Sequence, residues 1–153
     1  MSDSLRPIMD KQEAGQLVNA QRIRKGRTWA ELAQLIDAPE VWAASALLGS
    51  FPLPPEAAEK VCAELELGGD VRESLVAQPT RTFDPQLLSD PTIYRLLEVI
   101  QVHGPALKEL IHEKFDDGIM SAINFRVDVD RREDPAGDRV VITLDGKFLD
   151  YNW

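Results

Sequence analysis

Three side chains in the second half of this chain have the types and spacing to do chemistry. Arg95 and Glu98 stand one helical turn apart, and Ser121 comes just before a strand-like run. A guanidinium is a permanent planar cation and a carboxylate an acceptor, while a hydroxyl can donate, accept or attack. Nucleophilic attack by Ser121 needs an adjacent base and a group to orient it, and the sequence shows neither. Arg and Glu at this spacing ordinarily form a surface pair worth roughly 0.2–0.5 kcal/mol. Here Tyr94, Val99 and Val102 are interleaved with the pair, on the side away from Ile93, Leu96, Leu97 and Ile100. A helix apolar on both sides is buried on both sides, and buried charges need partners. The pair is therefore expected in an interface.

The elements that position these residues follow from local signals. Asp90 caps a helix with Pro91 in its first turn, where the missing N–H costs nothing. Gly104 reads as a helix end and Pro105 as the start of a second helix, with Leu107, Leu110, Ile111 and Phe115 at core spacing. Asp116, Asp117 and Gly118 close it. Beyond them Ile123, Phe125, Val127 and Val129 alternate with Asn124, Arg126, Asp128 and Asp130, the period of a half-buried strand. A turn over 133–138 leads to a second strand over 139–144. A two-stranded hairpin alone is marginal in water, and its exposed edges invite pairing. No other segment reads as a strand, so another copy of the chain is expected to supply the missing partners.

Several motifs occur here in one order: Tyr94-Arg95-Leu96-Leu97-Glu98, His112-Glu113-Lys114-Phe115, Asp117-Gly118-Ile119-Met120-Ser121-Ala122-Ile123-Asn124-Phe125 and Ile142-Thr143-Leu144-Asp145-Gly146-Lys147. Together they resemble the C-terminal domain of cyanases, enzymes that combine cyanate with bicarbonate. The resemblance implies a catalytic set of Arg95, Glu98 and Ser121. It implies cyanate and bicarbonate as substrates, with carbamate formed and broken down to ammonia and carbon dioxide. Bicarbonate is then a co-substrate, and no metal or organic cofactor is implied. Glu98 is better suited to orienting Arg95 than to moving protons. The family assembles as a homodecamer of five dimers with sites between dimers. The ending Asp150-Tyr151-Asn152-Trp153 departs from the usual family ending, and His103 stands where the family often has tyrosine.

The first half reads as a bundle of about five helices over 1–77. The first carries Ala14, Leu17, Val18, Gln21 and Ile23 and stops near Gly26. Thr28 and Glu31 form a capping box for a second, with Trp29, Leu32, Ala33 and Ile36 inward. A third spans 39–48, a fourth follows Pro54 and Pro55, and a fifth spans 70–76. The second and third have a helix-turn-helix layout, which makes a DNA-binding regulator the alternative function. Such a unit reads bases with Arg, Lys, Asn or Gln on its second helix. The candidate reading helix here opens with Glu40 and offers no base or amide through Ala46. Arg22, Arg24, Lys25 and Arg27 are the nearest basic cluster. Cyanases carry a helical N-terminal domain of this shape, so the resemblance absorbs the feature, though it covers this half only loosely. Residues 78–89, with two prolines and no period, read as an extended linker to a catalytic and oligomerisation domain over 90–153. The fold class is α+β: an N-terminal helical bundle, then C-terminal helices with a β-hairpin completed by intersubunit strand pairing.

Composition excludes several classes. The chain has 153 residues and a formal net charge of −9, which disfavours nucleic-acid and anionic-membrane partners, since those require a basic footprint. An enzyme acting on anions must then concentrate its cations locally. No apolar run approaches the roughly 20 residues of a membrane span. Residues 1–7 lack the regions of a signal peptide, so a cytoplasmic location is expected. The one cysteine, Cys62, rules out an internal disulfide and is expected to be packed and inert. His103 and His112 lack a second ligand at metal spacing, and no Gly-rich phosphate loop occurs.

Overall fold

Asp10 starts the first helix: its carboxylate accepts a hydrogen bond from the Gln12 N–H at 2.6 Å, and α1 runs Lys11–Arg24. This is seen in a computed structural model that describes residues 5–151. Expectations that fall on residues 1–4 and on Asn152 and Trp153 lie outside the described residues. The chain divides into two compact units, Met1–Arg81 and Thr82–Trp153.

In the first unit, Gly26 takes the left-handed turn (φ 65°) after α1. The capping box then forms as expected: Thr28 Oγ1 accepts from the Glu31 N–H at 3.0 Å, and Glu31 Oε2 accepts from the Thr28 N–H at 3.2 Å. It opens α2 (Trp29–Leu35), followed by α3 (Glu40–Leu47), α4 (Pro55–Leu65) and α5 (Gly69–Val76). Val18, Leu32, Leu47, Val61, Leu65 and Leu75 meet in one core, each fully buried aliphatic side chain contributing about 1.5–3 kcal/mol. Cys62 is buried among them, and burial pushes its thiol up, with Arg72 opposing. α1 turns Ala14, Gly15 and Val18 to the core, while Leu17 and Ile23 are exposed, Ile23 at 61%. Close approach explains this: a Cβ on Gly15 would lie 3.2 Å from the backbone of Leu48, so small residues mark the contact.

Lys11 ties the two ends of this unit together. Its Nζ donates to the carbonyl oxygens of Ser74 (2.8 Å) and Leu75 (3.3 Å) in the last turn of α5, where the helix dipole favours a cation; the same oxygens also accept from the N–H groups of Ala77 and Leu53. Hydrogen bonds to a charged group are worth about 1.5–3 kcal/mol. Lys11→Met, which keeps the aliphatic stem, is expected to destabilise the unit by about 2 kcal/mol in urea unfolding followed by Trp fluorescence.

The second unit opens with a 3₁₀ helix, Pro85–Ser89, capped by Asp84, within the stretch expected to be extended. Asp90 Oδ1 accepts from the N–H groups of Thr92 and Ile93 at 2.9 and 3.0 Å and starts α6 (Pro91–Phe115). The break expected at Gly104–Pro105 is absent: α6 is one helix of 25 residues. Pro105 leaves the Gln101 carbonyl without its helical donor. Gly104 carries no Cβ for the proline ring to strike, so the residue that reads as a stop makes the proline tolerable inside the helix.

After Asp116 (φ 70°), β1 (Gly118–Arg132) and β2 (Arg139–Asp150) form an antiparallel hairpin. Both strands are longer than expected: Ser121 lies inside β1, and β2 continues past Leu144. Phe115 at the end of α6 stacks on Phe148 of β2, ring centroids 5.1 Å apart. The unit has almost no interior. Among its described residues only Gly118 and Ser121 are buried, and both apolar stripes of α6 stay largely uncovered.

Candidate active site

Arg95 and Glu98 meet as their spacing requires. Arg95 Nη1 donates to Glu98 Oε2 at 2.7 Å. The guanidinium carbon lies 5.8 Å from the centroid of the Tyr94 ring, within cation–π range. Carboxylate and ring hold the planar cation from two sides, while Nε and Nη2 have no protein acceptor among the described residues. Arg95 therefore keeps donors free for a ligand. Within one chain the pair is open to water, with side chains 71% and 48% exposed. Around it Tyr94, Val99 and Val102 present apolar surface, Val99 at 52% and Val102 at 65% exposure.

Ser121 is placed in the opposite way. It is buried, and its Oγ accepts hydrogen bonds from the N–H groups of Ile123 (3.1 Å) and Asn124 (2.9 Å). A hydroxyl has two lone pairs and one hydrogen. With both lone pairs engaged, what remains is the O–H as a donor, and the bonds it accepts polarise it further. That geometry suits a donor to an anion and not a nucleophile, since the attacking lone pairs are occupied. No hydrogen bond or ion pair joins Ser121 to Arg95 or Glu98 among the described residues: the structure brings the helix pair together and leaves the serine on the hairpin.

The hairpin is irregular at Ser121. Met120 pairs with Phe148 and Phe125 with Gly146, so residues 121–124 of β1 stand opposite Lys147 alone. The alternation pattern does not mark this bulge, since it begins at Ile123, inside it. The signal that could have found it is Gly146, since an isolated glycine in a strand marks a bulge or a close backbone approach.

Two other groups resolve into structural roles. His112, in the last turn of α6, lies 4.0 Å from Asp117. The basic cluster of the first unit is engaged within that unit: Arg22 on Asn19 and over the Trp29 ring, Arg24 on Gln21, Lys25 on Glu66, and Arg27 on Glu64. Lys25, through its hydrogen bond first and its charge second, holds the Glu66 carboxyl below the usual carboxylate range. Cations already paired make a poor phosphate-binding footprint, and α3 exposes Glu40. No observation favours the DNA-binding alternative. No described helix is long and apolar enough to cross a membrane.

Comparison with known proteins covers nearly the whole chain. Residues 85–153 match the cyanate lyase C-terminal domain, and residues 11–79 match the N-terminal domain of cyanate hydratase. The chain belongs to the cyanate hydratase family. It is 52% identical over 146 residues to a cyanate hydratase of Mycolicibacterium vanbaalenii, an alignment covering 95% of each chain. With a cyanate hydratase of Pseudomonas putida the identity is 49%, over 94% of this chain and 98% of the other. The crystal structure of a cyanase from T. urticae superposes with a TM-score of 0.80 at 35% identity, covering 89% of this chain and 96% of that one. The α+β architecture, helices followed by a two-stranded antiparallel hairpin, is thus that of a cyanase. Both the bundle with its helix-turn-helix-like pair and the long-helix unit lie within segments that match this family.

Proposed function

We propose that this chain decomposes cyanate in a bicarbonate-dependent reaction at a site built from Arg95, Glu98 and Ser121. The observation that carries the substrate assignment is its 52% identity, over 95% of the chain, to a protein named cyanate hydratase. A bicarbonate oxygen attacks the cyanate carbon, forming a C–O bond, and the cyanate nitrogen takes up a proton. The bicarbonate's own proton also passes to that nitrogen, and cleavage of the bond between the bridging oxygen and the bicarbonate carbon releases carbon dioxide and leaves carbamate. Carbamate takes a second proton and breaks its C–N bond to give ammonia and another carbon dioxide. The net change is cyanate, bicarbonate and two protons to ammonia and two molecules of carbon dioxide.

Two anions must be held together, so the task is positioning and charge compensation. Arg95 supplies the cation; the free donors on its guanidinium fit the oxygens of an anion. Glu98 orients it through the 2.7 Å contact. Ser121 donates its remaining O–H. The reaction as proposed uses no metal or organic cofactor, and the protein works in the cytoplasm.

Assembly completes the site. A unit with two buried residues and a lone hairpin does not bury enough to be stable in water, and the stripe carrying Tyr94, Val99 and Val102 is open in one chain. A homodecamer of five dimers, with Arg95 and Glu98 between subunits, covers that surface and strengthens the electrostatics by excluding water. In a buffer purged of carbon dioxide, purified protein is expected to release ammonia from cyanate only after bicarbonate is added. An equal rate without bicarbonate would indicate simple hydrolysis and overturn the mechanism.

A further inference from the structure

Gly146 lies on β2 against the bulge that carries Ser121. A Cβ built on Gly146 would collide with the backbone carbonyl oxygen of Ser121 and with Met120 Cγ, and would lie 3.2 Å from Met120 Sδ. The methionine is a flexible side chain and can swing away. The carbonyl cannot, because residues 121–124 are closed into their bulge by the two N–H groups bonded to Ser121 Oγ. We infer that Gly146 is a positioning residue for the reaction: the absent side chain gives the Ser121 bulge its seat and so aims the Ser121 O–H. The inference rests on the proposal that Ser121 donates to substrate, and it assigns Gly146 no contact with the reacting atoms.

The local chemistry supports this. Gly146 pairs with Phe125, the first residue of β1 to resume regular pairing after the bulge, so its place fixes where the bulge ends. Its own conformation is not the reason for glycine, since no positive φ occurs there. Space is the reason. Ile123 projects into solvent at 96% exposure, so in a single chain the bulge is anchored from within, by Ser121, and from beneath, by β2.

A double-mutant cycle tests the idea, with kcat/KM for cyanate and sedimentation velocity as readouts. Ser121→Ala is expected to lose about 100-fold, the usual cost of one oriented donor. Gly146→Ala is expected to lose about tenfold or more with the assembly retained. The double variant is expected to be no slower than Ser121→Ala alone, because coupled residues are not additive. A double variant slower by the product of the two losses overturns the inference and leaves the role of Ser121 standing. A Ser121→Ala protein of unchanged rate overturns the site proposal itself. Should Gly146→Ala fail to assemble, Met120→Ala with Gly146→Ala removes the side-chain part of the collision and keeps the carbonyl part. That pair is expected to assemble and remain slow, and a pair with the rate of Met120→Ala alone overturns the inference.

Discussion

Arg95→Lys is expected to lower kcat/KM for cyanate by about 100-fold or more while the assembly stays intact. Charge is conserved in this variant, so the loss isolates geometry. The guanidinium gives one nitrogen to Glu98 at 2.7 Å and keeps its other donors in a rigid plane. An ammonium is a compact point charge, and once paired with Glu98 it has no fixed fork to offer an anion. Glu98→Gln is expected to have a smaller effect than Arg95→Lys, since an amide oxygen still accepts from Arg95 and holds the plane. Steady-state kinetics with bicarbonate saturating, alongside sedimentation velocity, measures both. An Arg95→Lys protein within about tenfold of the parent would mean that charge alone suffices and that the planar fork is irrelevant.

The elements legible in the sequence are those whose causes are local. Thr28 with Glu31, and Asp90 with Pro91, act on N–H groups within three residues, and both helix starts form as expected. Arg95 and Glu98 likewise meet because three residues make a turn. The break that Gly104–Pro105 suggests has an equally local cause, since each residue alone is a punctuation mark, yet the helix continues through it. Ile93, Ile100 and Leu107 nevertheless recur every seven residues straight through it. That unbroken period is the stronger evidence for one helix. On α1 hydrophobicity alone does not mark the buried face: Gly15 approaches the Leu48 backbone, while Leu17 and Ile23 are exposed.

What was not legible depends on chain brought from a distance. The bulge at 121–124 exists only in relation to β2, and no reading of β1 by itself reveals that Lys147 stands alone opposite those residues. The donor-only state of Ser121 follows from that backbone shape, since it requires the N–H groups of Ile123 and Asn124 to converge on one oxygen. The exposed stripe of α6 reaches one step further. Its apolar interleaving is plain in the sequence, and within one chain it stays uncovered; its cover in the proposed assembly lies on another subunit.

That stripe supplies the other large effect. Val99 lies one residue from Glu98 and is 52% exposed in one chain. A carboxylate there is expected to cost an isolated subunit little, because water solvates it. In the proposed assembly the same position is covered, and an unpaired carboxylate costs several kcal/mol per ion. Each 1.4 kcal/mol is about tenfold in an association constant, and a symmetric oligomer repeats the penalty at every equivalent interface. Val99→Asp is therefore expected to dissociate the large assembly in sedimentation velocity and to abolish most activity with it. Circular dichroism is expected to keep the signal of the N-terminal helices, whose core contains no residue of α6. Val99→Leu, which keeps the surface apolar, is the control and is expected to assemble. A Val99→Asp protein that stays assembled would show that this face meets solvent. One that is monomeric and fully active would place the whole site within a single subunit, with Arg95, Glu98 and Ser121 working in the open geometry of the isolated chain.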